Sequence, residues 1–161
     1  MNQTTSVMNA RAAGVPESDL AVFFYARLGI NLYGSSIVTT RAFAEKNPEV
    51  IRKFLAGLVH GLNTMIENLD VSMASLKTYD NLLNDDVEKA RMVISLRDML
   101  ITPNVLQNGF SSVDMDRLDR TFKQVAPVFN IAAPAAADVY TDRYLPTAKE
   151  RTVRPWTPPA K

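Results

Sequence analysis

Between Tyr25 and Tyr33 the chain gathers two phenol rings, the guanidinium of Arg27 and the carboxamide of Asn31. The rings could stack on a flat solute or hydrogen-bond to it through their hydroxyls, and the amide could donate to it. Arg27 presents a planar fork of five donors, the shape that suits a carboxylate, a sulfonate or a phosphate. These four residues form the candidate ligand-binding set. Each also has a plainer use: Arg27 as a solvated surface charge, the tyrosines as packing residues with satisfied hydroxyls, Asn31 as a turn former.

The remaining chemistry-bearing residues read as structural. Cysteine is absent, which excludes disulfides, thiolate catalysis and zinc–thiolate sites. His60 is the single histidine. It sits in a helical stretch beside Val59 with no acid at metal-ligand spacing, so it reads as a packed or surface residue. Asp85, Asp86 and Glu88 crowd the first turn of a helix, where the positive end of the helix favours acids without any cation. Met65, Met73, Met92, Met99 and Met115 are core filling rather than a soft-metal site. No metal, no cofactor and no enzymatic activity is expected.

Composition narrows the partners. Eighteen basic residues stand against 17 acidic ones, for a net charge of +1. No basic face can dominate the field at that balance, which argues against nucleic acid. A hydrophobic fraction of 47% with 22% charged residues is that of a soluble globular chain. No apolar run approaches the roughly 18 residues of a membrane span. Residues 1–11 are polar and lack the charged-then-apolar layout of a signal peptide.

The elements that must position the candidate set follow from periodicity. Ser6 to Ala13 reads as the end of a helix, stopped by Gly14 and Pro16. Leu20 to Tyr25 is a short apolar run, expected as a buried strand, and Ile30 to Tyr33 and Ser36 to Thr39 as extended or strand-like. Thr39 and Thr40 should cap a brief helical turn. Asn47, Pro48 and Glu49 should then open a long helix running to about Asn68. Its apolar residues fall on two neighbouring stripes, Val50–Phe54–Leu58–Leu62–Met65 and Ile51–Leu55–Val59–Ile66, a face wide enough for two neighbours. Gly61 inside that helix suggests close approach by another backbone. Asp70 should cap a helix to about Tyr79, and Asn84 should open one running to about Leu100 and ended by Pro103. Ser111 or Ser112 should cap a helix that carries Met115, Leu118, Phe122 and Val125. From Ala132 the chain is rich in alanine and proline, and Thr152 to Lys161 reads as a loose, extended tail.

A series of short matches runs through this framework: Ala12-Ala13-Gly14-Val15-Pro16, Tyr25-Ala26, Gly29-Ile30, Leu32-Tyr33-Gly34, Phe43-Ala44, Asn47-Pro48-Glu49-Val50, Phe54-Leu55, Gly61 and Tyr140-Thr141-Asp142-Arg143-Tyr144-Leu145-Pro146. In order and spacing it resembles the C-terminal part of the bacterial solute-binding proteins that serve ABC importers of nitrate, sulfonates, taurine and thiamine-pyrimidine precursors. The resemblance implies an α/β ancestry, with two lobes joined by crossover strands and closing over a solute. This stretch would be mainly helical, with two short strands. Residues 1–19 would end the second lobe, 20–40 would form the hinge crossover, 41–146 the C-terminal helices of the first lobe, and 147–161 an extended tail. Four or five helices with so few strands suggest a fragment of such a protein.

The resemblance implies reversible capture of a small anionic or heteroaromatic solute in an interlobe cleft, delivery to a membrane permease, and a periplasmic location. Relatives often carry an acid after Tyr-Ala, where this chain has Arg27, so the usual ligand set does not transfer at that position. A thiamine-pyrimidine synthase relative is a remote alternative, because those enzymes resemble a version with clustered cysteines and an active-site histidine. The other alternative is a stand-alone helical domain whose broad apolar faces serve self-association.

Overall fold

Short polar side chains at helix starts set much of the architecture. In the computed structural model, which describes residues 3–158, the Thr40 hydroxyl accepts from the Phe43 amide at 3.2 Å and opens α2 (Arg41–Lys46). The long helix α3 (Pro48–Glu67) follows. Asn47 turns its amide back to donate to the Phe43 carbonyl at 3.1 Å, ending α2. Asn68 accepts from the Asp70 and Val71 amides and starts α4 (Leu69–Lys77), so Asp70 lies in the first turn rather than at the cap. Asn84 caps α5 (Asp85–Ser95), which continues as a single wide turn over Leu96–Leu100.

Thr102 caps a further helix, α6 (Pro103–Asn108), so Pro103 begins an element as well as ending one. Asp114, not Ser111 or Ser112, caps α7 (Met115–Val125). An aspartate one residue before the apolar stripe is the better-placed acceptor. The short α1 (Met8–Ala12) lies near the start of the chain and α8 (Ala136–Val139) within the Ala/Pro-rich stretch.

The protein is mainly helical, and no strand forms among the described residues. The two expected strands are absent for a physical reason: a strand needs a neighbour to complete its hydrogen-bond ladder. Among the described residues no such neighbour reaches Leu20–Tyr25 or Ser36–Thr39. Phe23 is 77% exposed and Tyr25 63%, so the run is not the buried segment its composition suggests. Tyr25–Leu28 winds into a 3₁₀ turn that ends at Gly29 with a φ of +85°.

The described residues divide into two units, and the division falls within α3 between Leu55 and Ala56. The first unit comprises residues 3–21, 56–111 and 146–158. Its core is Val59, Ile66, Leu96 and Phe110, with Leu62, Met65, Val153 and Trp156 packed against it. Within this unit α3 buries Val59 and Ile66 of its second stripe, with Leu62 and Met65 of the first packed beside them. Asn63, also buried there, donates to the Thr152 carbonyl at 3.2 Å and accepts from the Arg154 amide at 3.0 Å. Residues 152–156 of the stretch that reads as a loose tail are therefore fastened as a strap, while residues 159–161 lie outside the described residues. Arg151 reinforces it, donating to the carbonyls of Pro146 and Phe110 at 3.0 and 2.6 Å. Gly61 has open space around its missing side chain among the described residues, so no close backbone approach explains it. Close approach occurs instead at Gly109, where a Cβ would lie 2.9 Å from the Arg151 carbonyl oxygen.

The second unit comprises residues 22–55 and 112–145. It holds α2, the first residues of α3, α7 and α8. Buried Ala44, Thr121, Ala126, Ala136 and Tyr144 form its interior. Asp119 on α7 accepts from the Ala136 amide at 2.7 Å, and Arg41 reaches the Asp138 carbonyl at 3.4 Å.

Candidate functional site

The candidate ligand set lies in the second unit on the segment that precedes α2. Its latter half is held by α7. Arg117, three residues beyond the Asp114 cap, donates to the Asn31 carbonyl at 3.3 Å and the Leu32 carbonyl at 2.9 Å. Its guanidinium also lies over the Tyr33 ring, 4.1 Å from the centroid. One helical turn on, buried Thr121 accepts from the Tyr33 amide at 3.3 Å. The Tyr33 hydroxyl accepts from the Asp114 amide at 2.8 Å. Tyr33 is therefore engaged at its backbone, ring and hydroxyl, and the Asn31 backbone is fixed beside it.

The other half of the set is open. Tyr25 and Arg27 share the 3₁₀ turn and are exposed. Arg27 lies over the Phe24 ring, 4.8 Å from its centroid. Among the described residues no carbonyl or carboxylate accepts from its guanidinium. Two arginines of the same unit thus differ in availability. Arg117 directs its donors at this protein's own backbone, whereas the Arg27 fork has no acceptor among the described residues.

Sequence reasoning had no hold on Arg117, Thr121 and Asp114. Their signal was a polar stripe on α7, with Asp114 three residues before Arg117 and Thr121 four after it, alongside the apolar stripe. What the stripe grips is 80 to 90 residues away in sequence, beyond the reach of periodicity.

A separate groove of about 260 Å³ lies in the first unit where the strap crosses α3. His60, Asn63, Thr64, Glu67, Glu150 and Arg154 line it. Its polar groups largely satisfy one another. Asn63 is engaged at both ends of its amide, and Arg154 pairs with Glu67 at 3.2 Å. Glu150 accepts from the hydroxyl and amide of Thr147 at 2.7 and 2.8 Å, bonds that hold its carboxyl below the usual carboxylate range. His60 is exposed at the rim. This groove is a structural seam.

Among the described residues no three His, Asp or Glu side chains gather to hold a metal ion. No described helix is long and apolar enough to cross a membrane. Residues 3–70 match the family model described as NMT1/THI5 like, a span that includes all four candidate ligand residues. That match supports a solute-binding or related function. No curated protein and no solved structure matches the chain.

Proposed function

From the NMT1/THI5-like match over residues 3–70, we propose that the chain acts within the solute-binding component of an ABC importer. It captures a small anionic or heteroaromatic solute reversibly, outside the cytoplasmic membrane, and passes it to a permease. No bond is made or broken. The absence of cysteine and the single histidine agree with a binding role rather than a pyrimidine-synthase one.

The observation that carries the reading to particular residues is the uncommitted guanidinium of Arg27, exposed over Phe24 inside the matched span. In this proposal Arg27 forks onto the anionic group of the solute, Tyr25 stacks beside it, and Tyr33 and Asn31, fixed by Arg117, supply the wall. The test is calorimetric titration with nitrate, alkanesulfonates, carboxylates and aminopyrimidines. One class should bind, and Arg27→Ala should weaken that binding by about one to three orders of magnitude, the loss of a hydrogen-bonded charge pair. The helical circular dichroism should be unchanged. Silence across the whole panel, or affinity indifferent to Arg27, would overturn the proposal.

A further inference from the structure

The hydrogen bonds around Tyr33 can be followed proton by proton. Thr121 donates its hydroxyl proton to the Arg117 carbonyl at 2.9 Å, one turn back along α7. Its oxygen is left to accept from the Tyr33 amide at 3.3 Å. The Tyr33 hydroxyl oxygen in turn accepts from the Asp114 amide at 2.8 Å. A backbone N–H only donates, so the direction of that bond is fixed. A phenol also carries a proton of its own. Tyr33 therefore meets its next partner as a donor, and among the described residues no group accepts that proton.

Charge at the same place favours a negative acceptor. The Arg117 guanidinium lies 4.1 Å from the centroid of the Tyr33 ring. Asp114 is the acid on that turn, and its carboxylate is committed to the Arg117 amide at 3.0 Å as the helix cap. Along the segment itself the charged residues between Asp19 and Glu45 are Arg27 and Arg41, both cationic. Carboxylates, sulfonates and nitrate accept hydrogen bonds without donating any, and that matches a donor phenol beside a donor guanidinium. An aminopyrimidine must place the donors of its amine, and this segment offers them no carboxylate.

We infer that the Tyr33 hydroxyl donates to the anionic group of the solute, and that Arg117 is the positioning residue that aims it. The inference rests on the solute-binding reading above and narrows it from two solute classes to one, anions. Arg117 acts through Tyr33 rather than on the solute. It grips the carbonyls of Asn31 and Leu32 at 3.3 and 2.9 Å and backs one face of the ring that carries the donor.

Calorimetric titration of the full chain with nitrate, methanesulfonate, acetate and, as a neutral aminopyrimidine, cytosine tests both statements. At least one anion should bind, and cytosine should not. Tyr33→Phe keeps the ring and loses the proton, so it should weaken the bound anion about ten- to a hundredfold, the worth of a hydrogen bond to a charged group. Tyr25→Phe, whose ring stacks, should bind as the unaltered chain does. Arg117→Ala should weaken binding by a similar factor. Adding Tyr33→Phe to it should cost little more, because the hydroxyl is already misdirected. Arg117→Lys, which keeps the charge and gives up the fork, reads the same step where alanine unfolds the chain. An anion that binds and needs Arg27, yet is indifferent to Tyr33→Phe, overturns the inference and leaves the solute-binding reading standing. Cytosine binding as tightly as the anions overturns the choice of class. Losses that simply add between Tyr33→Phe and Arg117→Ala overturn the positioning role. Silence across the panel overturns this inference and the solute-binding reading together.

Discussion

Gly109 and Asn63 show how single residues fasten the strap. Gly109 has a φ of +83° and backs onto the Arg151 carbonyl. Alanine there would suffer both the left-handed conformation and a clash with backbone that cannot swing away. Gly109→Ala should cost about 2 kcal/mol or more, read as a lower melting temperature. Asn63→Ala removes both amide bonds and leaves a strap carbonyl and amide without their partner, a loss of about 2 kcal/mol. Because Trp156 is the only tryptophan and packs on the core, its emission should shift red in Asn63→Ala if the strap loosens. Neither role was legible in sequence. A glycine's reason for being there lies in what approaches it, and Gly61 looked the better candidate because it interrupts a helix. Asn63 looked like one polar residue among apolar neighbours, and its partners stand about 90 residues away. The uncommitted state of Arg27 was equally invisible, being a property of its surroundings.

Helices were the legible elements, because their information is local. The α3 helix begins at Pro48 and ends within a residue of its expected end, and Thr40 caps α2 as its hydroxyl suggested. Which stripe of α3 is buried was not local information. Val50 and Phe54 lead the first stripe yet are 55% and 57% exposed, whereas Val59, on the second, is 5% exposed. Accordingly Val59→Asp should destabilise the first unit by several kcal/mol, the cost of an unpaired carboxylate in an apolar core. Phe54→Asp should change the melting temperature little. Thermal melts of both variants check the order. The segments expected as strands failed for the converse reason. Alternation and β-branching describe a sequence willing to pair, but pairing belongs to two segments at once, and no described residue answers.

At the scale of the whole molecule, two ion pairs bridge α4 and α5: Lys77 with Asp85, and Lys89 with Asp70. The Lys77 ammonium holds the Asp85 carboxyl below its ordinary value, and Asp70 holds the Lys89 ammonium above its own. A depressed carboxyl stabilises above its unfolded pKa and loses that contribution as pH falls through the folded one. A raised ammonium stabilises below its unfolded pKa and loses it as pH rises through the folded one. The melting temperature should therefore gain from both pairs between about pH 5 and 9, declining below about pH 4 and above about pH 10.5. Both limbs are shallow, because exposed pairs are weak, and Asp85→Asn should flatten the acid one. The strap also has a consequence in time. Asn63 leaves a ribosome 89 residues before the Thr152 carbonyl it holds. At about 5–20 residues per second, that is a wait of roughly 4–18 s during which Val59 and Ile66 have no Val153 or Trp156 to cover them. Throughout that interval the nascent chain offers an apolar surface to whatever chaperone or sister chain is nearest. How fast the strap is translated thus bears on how much of the protein reaches the folded state.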